Sequence, residues 1–150
     1  MLVKDVMTTD VVCLNPQMTF LEAAHILFDH KFSGAPVVEN GKLVGILSEK
    51  DLFRALYPSY KNFYANPTSY LRETELEDTA LEAKDKKIEE VMSRRVISTT
   101  PDTHILKIGG LMVATGIHRV PVMDGGVVVG MVSRGSIYRA IMSLTFSHLK

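Results

Sequence analysis

Two stretches decide the fold: residues 33–51, SGAPVVENGKLVGILSEKD, and residues 118–136, HRVPVMDGGVVVGMVSRGS. They align without a gap at a spacing of 85 positions, so that Pro36 matches Pro121 and Ser48 matches Ser133. Self-similarity at a fixed period indicates two copies of one supersecondary unit. A copy of roughly 54 residues is near the size at which a lone core is marginal. We therefore expect the copies to bury their faces against each other, with paired clefts around a pseudo-two-fold axis.

Outward from these stretches, each copy has the pattern strand, helix, strand, strand, helix, which predicts an α/β (α+β) fold. Apolar runs at 11–14 and 96–99 predict the first strands. Thr19 is the predicted cap of the first helix, and Asn40-Gly41 is a two-residue hairpin signal. The 3.6-residue period assigns these side chains to the buried faces of three helices: Phe20, Ala23, Ala24, Leu27 and Phe28; Leu52, Phe53, Ala55 and Leu56; and Ile105, Ile108, Met112 and Val113.

The repeat predicts three parts: a first copy at 1–56, a partly helical connector at 57–87, and a second copy at 88–150. The connector contains four of the five tyrosines, Tyr57, Tyr60, Tyr64 and Tyr70. Tyrosines in such a segment either pack against the parent domain or form a partner surface. An acidic stretch without Gly or Pro predicts an exposed helix over 72–87. In the second copy, Gly109-Gly110 predicts close packing of a helix across the pseudo-dyad.

Composition excludes several classes of function. The formal net charge is zero, which gives no electrostatic reason to expect nucleic acid or an anionic membrane as a partner. No apolar stretch reaches the roughly 20 residues of a membrane span, and the N-terminus lacks a signal-peptide core. The single cysteine, Cys13, rules out an intrachain disulfide and favours a reducing, cytoplasmic location. Its apolar neighbours predict a packed strand residue rather than a nucleophile.

Enzymatic and metal-binding motifs are lacking. The sequence contains no P-loop, no nucleophile elbow and no dinucleotide fingerprint. The five histidines are scattered without the spacing of a zinc site. We therefore expect neither catalytic residues nor a metal.

The candidate site is the sequence Ser48-Glu49-Lys50-Asp51, which begins a helix. Ser48 and Asp51 have the spacing of a capping box, in which the serine accepts from the Asp51 amide. A carboxylate at such a position also accepts hydrogen bonds from a ribose diol. The second copy keeps the serine but has Ser136 in place of the acid. That loss is the pattern of two non-equivalent clefts, although drift explains it as well.

The complementary difference lies before the second strand. Where the first copy has Ser33-Gly34, the second has His118-Arg119. Histidine and arginine side chains together supply donors suited to a phosphate, and arginine binds it bidentately. A surface His-Arg pair is commonly only solvated, but this pair is predicted to lie at the cleft opposite the copy that kept its acid.

These features together resemble a tandem pair of cystathionine-β-synthase (CBS) domains, also called a Bateman module. The resemblance rests on VKDVMTTDVVCLNP and IEEVMSRRVISTTP, on the two stretches quoted above, and on the β-α-β-β-α order. It implies a non-catalytic regulatory module that binds adenine nucleotides or related adenosyl compounds in clefts between its repeats and commonly forms a homodimer. It implies no required cofactor, only a regulatory adenine nucleotide.

The resemblance also implies site residues. The family's ribose motif falls on Ser48 and Asp51, and the phosphate-binding His-Arg of modules similar to the sensor subunit of AMP-activated kinase falls on His118 and Arg119. The adenine wall of this cleft falls on Ile97, Ser98, Thr99, Thr100 and Val120. A second, weaker cleft without the acid or the His-Arg pair falls on Cys13, Leu14, Ser33, Gly34, Ala35, Ser133 and Ser136.

The resulting hypothesis is a sensor of AMP, ADP or ATP that forms a homodimer and signals to a separate, unidentified protein partner. Two alternatives stay open at this point. One is a structural dimerisation or interaction module without bound nucleotide, which the missing acid at Ser136 favours. The other is a sensor of S-adenosylmethionine, which the His-Arg pair disfavours because that ligand carries no phosphate.

Overall fold

The computed structural model describes residues 1–58, 64–65 and 72–147; the connector tyrosines Tyr60 and Tyr70 lie outside these ranges. Two short 3₁₀ helices precede the two halves, at Val3–Asp5 and Ile88–Glu90. The main elements, in chain order, are α1 (Phe20–His30), β1 (Gly34–Glu39), β2 (Lys42–Ser48), α2 (Glu49–Ala55), α3 (Glu73–Ala83), α4 (Ile105–Thr115), β3 (Arg119–Asp124), β4 (Val127–Ser133) and α5 (Arg134–Thr145). The mixed helix and strand architecture confirms the predicted fold class.

The chain forms two compact units. The unit that we call the N unit contains Cys13–Asn40 and Val44–Val96, and the C unit contains Met1–Val12, Gly41–Leu43 and Ile97–Lys150. Each has its own two-stranded sheet, β1 with β2 and β3 with β4. Each therefore has its own core.

The leading segment of each sequence repeat packs in the unit formed by the other repeat. At the start of the chain, the Val3 amide donates to the Thr103 carbonyl at 2.8 Å. At the equivalent point of the second repeat, the Ile88 amide donates to the Met18 carbonyl at 2.9 Å. Val3 and Ile88 are both fully buried. The compact units thus differ from the sequence repeats by an exchange of these segments.

The core of the N unit is built by α1, the β1–β2 hairpin, α2 and the segment from Ala83 to Met92. The predicted cap of α1 is confirmed, because the Thr19 hydroxyl accepts from the Glu22 amide at 3.2 Å and the Glu22 carboxylate accepts from the Thr19 amide at 3.0 Å. The hairpin turn has positive φ at both Asn40 (51°) and Gly41 (77°), the geometry that the Asn-Gly signal predicts.

The C unit repeats this plan with α4, β3, β4 and α5. In its antiparallel ladder, Arg119 pairs with Ser133 and Val120 with Val132. Val120 and Val132 are fully buried in a core that also contains Ile105, Ile108, Met112, Val122, Ile137 and Ala140. The ladder brings the start of β3 next to the end of β4, where α5 begins.

The predicted first strand of each repeat is reduced to a single bridged residue. The Leu14 amide donates to the Pro36 carbonyl at 2.9 Å, in a parallel bridge of Leu14 with Val37. The equivalent Thr99 amide donates to the Pro121 carbonyl at 3.0 Å. In both copies a turn at Pro16 or Pro101 follows within two residues, which leaves no length for further pairing.

Three side chains assigned by sequence to buried helix faces are instead exposed: Phe28 on α1, Phe53 on α2 and Val113 on α4. Their helix neighbours Leu27, Leu52 and Met112 are buried as predicted. The apolar stripe of each helix is therefore wider than the core that it covers. These predictions were wrong because periodicity does not limit the width of the buried stripe.

The acidic part of the connector forms α3, shorter than the predicted helix over 72–87. Its apolar Leu81 is exposed and only Ala83 is fully buried. The Lys86 carbonyl beyond its end accepts from the Phe20 amide at 2.7 Å. The segment after α3 is thus tied to the start of α1.

The two helix glycines differ in their surroundings. A Cβ at Gly109 would approach Ile137 of α5 at 3.3 Å, within the same unit, whereas a Cβ at Gly110 would meet no atom within 4 Å. The prediction of close packing is therefore wrong for Gly110, and for Gly109 the contact described is with α5.

Replacing Gly110 by alanine is expected to stabilise the protein by about 0.8–1 kcal/mol, because alanine loses less backbone entropy in a helix and the site has room for the methyl group. Urea denaturation followed by circular dichroism measures the change. Gly109→Ala is the matched control and should gain less, since its methyl group crowds Ile137. A loss of stability in Gly110→Ala would contradict the geometry.

Candidate functional site

The junction of β2 and α2 in the N unit holds Ser48 and Asp51 in a complete capping box. The Asp51 amide donates to Ser48 Oγ at 3.3 Å, and Asp51 Oδ2 accepts from the Ser48 amide at 2.9 Å and from Ser48 Oγ at 3.0 Å. The side chain of Asp51 is only 11% exposed, and its Oδ1 lies 4.0 Å from Arg54 Nη1. One carboxylate oxygen is therefore committed to the cap, and the other faces a cation at the edge of contact distance.

The equivalent junction in the C unit keeps the cap without the acid. The Ser136 amide donates to Ser133 Oγ at 3.2 Å, and the two hydroxyl oxygens lie 3.0 Å apart. Its amide-to-hydroxyl distance matches that of the N unit within 0.1 Å. A serine at the fourth position is therefore enough to preserve the helix cap.

The N unit brings further predicted site residues to this junction. The Ser33 carbonyl accepts from the Glu49 amide at 2.9 Å, which ties the start of β1 to the start of α2. Ala35 and Leu14 are buried in the core, and Gly34 is half-buried between Ser33 and Ala35. The structure thus groups Ser33–Ala35 and Leu14 with Asp51 in one unit, although the sequence analysis assigned them to the second cleft.

Cys13 precedes the bridged Leu14 and is exposed, so its prediction as a packed strand residue is wrong. The outward position follows from the alternation of side chains along an extended segment, in which Leu14 points inward. Partial removal of water by the surrounding protein raises the pKa of the Cys13 thiol. The protonated form is favoured, which disfavours a nucleophilic role.

In the C unit, His118 and Arg119 stand at the start of β3. The His118 carbonyl accepts from the Arg134 amide at 2.9 Å, and Arg134 Nη1 lies 3.2 Å from His118 Nε2. The half-buried Arg119 pairs with Ser133 across the ladder. Arg134 therefore joins the predicted His-Arg pair, and three donor side chains surround the junction that lacks the carboxylate.

The predicted adenine wall also belongs to the C unit. Thr99 is nearly fully buried and bridges to Val122, and Val120 lies in the core. Ile97 is half-buried, and the exposed Thr100 shares a hydrogen bond of 2.9 Å with Thr103. The predicted site residues therefore divide between the units, with Ser48 and Asp51 in the N unit and the others in the C unit.

A second feature of the C unit was not anticipated. Helices α4 and α5 enclose an open, mainly apolar groove of about 490 Å³, with Leu106, Val113 and Tyr138 among its lining residues. His118 and Arg134 also line it. The sequence signal for this surface was the recurrence of apolar residues at equivalent helix positions in both copies.

Metal ligands and membrane spans are two further features that bear on function. In the ranges that the structure describes, no three His, Cys, Asp or Glu side chains come together as metal ligands would. Over those same ranges, no helix combines the length and the apolar character that a membrane crossing requires.

Comparison with known proteins identifies the family. The model of the CBS domain matches twice, at residues 3–58 and 88–143. The uncharacterized protein MJ1426 of Methanocaldococcus jannaschii is 32% identical over 95% of this chain and 92% of its own length. The CBS domain pair of protein MJ0100, crystallised with 5′-methylthioadenosine and S-adenosyl-L-methionine, is 28% identical with a TM-score of 0.71, covering 96% of this chain and 98% of that one. CBSX2 of Arabidopsis thaliana, solved with AMP, shares the fold at 24% identity and a TM-score of 0.70, over 96% of this chain and 98% of its own. Two matched copies over most of the chain show that this protein belongs to the CBS domain family.

Proposed function

We propose that this protein is a regulatory, non-catalytic module that senses an adenine nucleotide and signals to a separate protein partner. Support comes from the CBS pair of MJ0100, which was crystallised with two adenosyl compounds, and from the CBS fold of CBSX2, which was solved with AMP. In the proposed assignment, Ser48 and Asp51 hold the ribose. His118 and Arg119 hold the phosphate, and Ile97, Thr99, Thr100 and Val120 line the adenine.

The difference between the two helix caps carries this proposal. Since Ser133 and Ser136 preserve the cap, a carboxylate at position 51 is not needed for local structure. Ser48 and the cap occupy Asp51 Oδ2, and Oδ1 has only the 4.0 Å approach of Arg54. A half-buried carboxylate oxygen with one weak partner is suited to accept from a ribose hydroxyl.

The cations of the C unit favour a ligand with phosphate. Arg119 supplies a fork of donors, and His118 and Arg134 stand beside it within 3.2 Å of each other. S-adenosylmethionine carries a positive sulfur centre and no phosphate, so these side chains would not favour it. AMP, ADP or ATP is therefore the proposed class of ligand, and the second cleft, around Cys13, Ser33, Ser133 and Ser136, is the weaker one.

Calorimetric titration with AMP, ADP, ATP and S-adenosylmethionine tests the proposal. We expect the phosphate-bearing nucleotides to bind with micromolar dissociation constants and S-adenosylmethionine at least about tenfold more weakly, a difference of one ordinary ionic contact. Stronger binding of S-adenosylmethionine would transfer the proposal to that ligand. Absence of binding by all four compounds would overturn it.

The second candidate function is a dimerisation module that holds partner chains together without nucleotide. It is favoured by the exposed apolar side chains on α1, α2, α4 and α5, which a monomer would leave in water. A homodimer is compatible with both functions, and we include it in the proposal. A cytoplasmic location belongs to the same proposal and rests on the single, unpaired thiol.

A further inference from the structure

Both units expose apolar side chains at the same three repeat positions. Leu21 and Leu106 are 48% and 59% exposed, Phe28 and Val113 83% and 88%, and Phe53 and Tyr138 62% and 61%. Large apolar side chains at three matched positions form a face rather than scattered exceptions. Because Leu106, Val113 and Tyr138 line one groove, their counterparts Leu21, Phe28 and Phe53 occupy the same face of the N unit.

The two faces differ in shape at the matched positions. The groove of the C unit has glycine at 109 and 110 and valine at 113. The N unit carries Ala24 and His25 at the equivalents of the glycines, and Phe28 at the equivalent of Val113. One face therefore offers an open groove of about 490 Å³, and the other offers projecting aromatic rings.

The two faces also differ in charge. Helices α4 and α5 contain no acidic residue, and their charged residues are Lys107, Arg134 and Arg139. Helix α1 carries Glu22 and Asp29, and the charges of α2 cancel. At two matched positions the sign reverses, from Glu22 to Lys107 and from Glu49 to Arg134, and all four side chains are exposed.

We propose that the α4–α5 groove of one copy binds the Phe28–Phe53 face of a second copy, so that the chain forms a head-to-tail dimer. Two copies of the C unit face to face would place cations against cations and a groove against a groove, whereas the N unit supplies both the filling side chains and the opposite charge. Both complementary surfaces are on this chain, and a two-fold axis makes the same contact twice. The inference rests on the homodimer proposed above and not on nucleotide binding.

Filling the groove from within tests the contact. Gly110→Leu places a side chain in the groove at a position where an added Cβ meets no atom within 4 Å, so the variant should fold with unchanged or higher thermal stability. We expect its dimer dissociation constant, measured by analytical ultracentrifugation, to rise at least about tenfold. Glu82→Leu, which adds the same side chain on the exposed surface of α3, is the control and should stay dimeric. A monomeric wild type, or a Gly110→Leu dimer as tight as wild type, would overturn the proposal.

Cross-linking tests the orientation. In a Cys13→Ser background, one preparation carries Asp29→Cys beside Phe28, and the other carries Ala114→Cys beside Val113. With a flexible bis-maleimide, we expect linked dimers mainly when the two preparations are mixed, at least about tenfold more than in either alone. Equal self-linking of the Ala114→Cys preparation would show a head-to-head dimer and overturn the proposal. Nucleotide titration of the same samples keeps a failure of the sensor function distinct from a failure of this interface.

Discussion

Replacing Asp51 by serine is expected to weaken binding of an adenine nucleotide at least about 100-fold while leaving the fold intact. The loss corresponds to two charge-assisted hydrogen bonds to a ribose diol, at about 1.5–3 kcal/mol each. The cap should survive, because the introduced serine would stand to Ser48 as Ser136 stands to Ser133, with an amide-to-hydroxyl distance of 3.2 Å in the natural pair. Serine therefore removes the carboxylate without removing the cap, which alanine would not do.

Calorimetry gives the affinity of this variant, and thermal unfolding gives its stability. The melting temperature should stay within a few degrees of wild type, equivalent to less than about 1 kcal/mol. Ser136→Asp is the matched control, since it adds a carboxylate to the C-unit junction and leaves Asp51 in place. Binding within about threefold of wild type by Asp51→Ser would show that Asp51 serves the cap alone and would favour the dimerisation module.

The sequence was sufficient to predict what depends on local chemistry. Thr19 and Ser48 cap their helices as predicted, since side-chain hydrogen bonds over three residues need no tertiary information. The Asn40-Gly41 turn follows from the same principle. The dual interpretation of Asp51 also came from sequence, and comparison of the two copies was the information that separated the cap from the acid.

The sequence was not sufficient to predict which parts share a core. The exchange of the leading segments places Val3 with Ile105 and Ile88 with Leu47, although the repeat alignment puts Val3 and Leu47 in one copy. Two copies of nearly the same pattern offer nearly the same partners to each leading segment. Choosing between them depends on the path of the chain, which hydrophobic periodicity does not report.

The exposed rings show a second limit of the same kind. Phe28 and Phe53 satisfy the helical period of a core face, yet they lie in solvent in the isolated chain. Periodicity reports that a side chain favours burial, and it does not distinguish burial within a chain from burial against a second one. Their exposure is the observation from which the interface was inferred.

Replacing Gly45 by alanine is expected to destabilise the N unit by about 3 kcal/mol, because the added methyl group has no room. A Cβ there would lie 2.6 Å from Met92 Sδ and 2.9 Å from the Ser93 carbonyl oxygen. Met92 can turn aside, but Ser93 exchanges two backbone hydrogen bonds of 2.9 Å with Ile46, and moving it weakens both. Overpacking at about 1–3 kcal/mol and the weakened hydrogen bonds at about 0.5–1.5 kcal/mol each account for the total.

The repeat supplies an internal check on this value. A Cβ at Gly130 would lie 2.7 Å from Met7 Sδ and 3.0 Å from the Thr8 carbonyl oxygen, so Gly130→Ala should destabilise the C unit to a similar degree. Gly110→Ala is expected to have the opposite sign in the same urea titration. An unfolding midpoint for Gly45→Ala equal to that of wild type would contradict the close approach. Since Met7 and Met92 belong to the exchanged segments, losses of similar size at both glycines would show that each unit is held together by a segment from the other repeat.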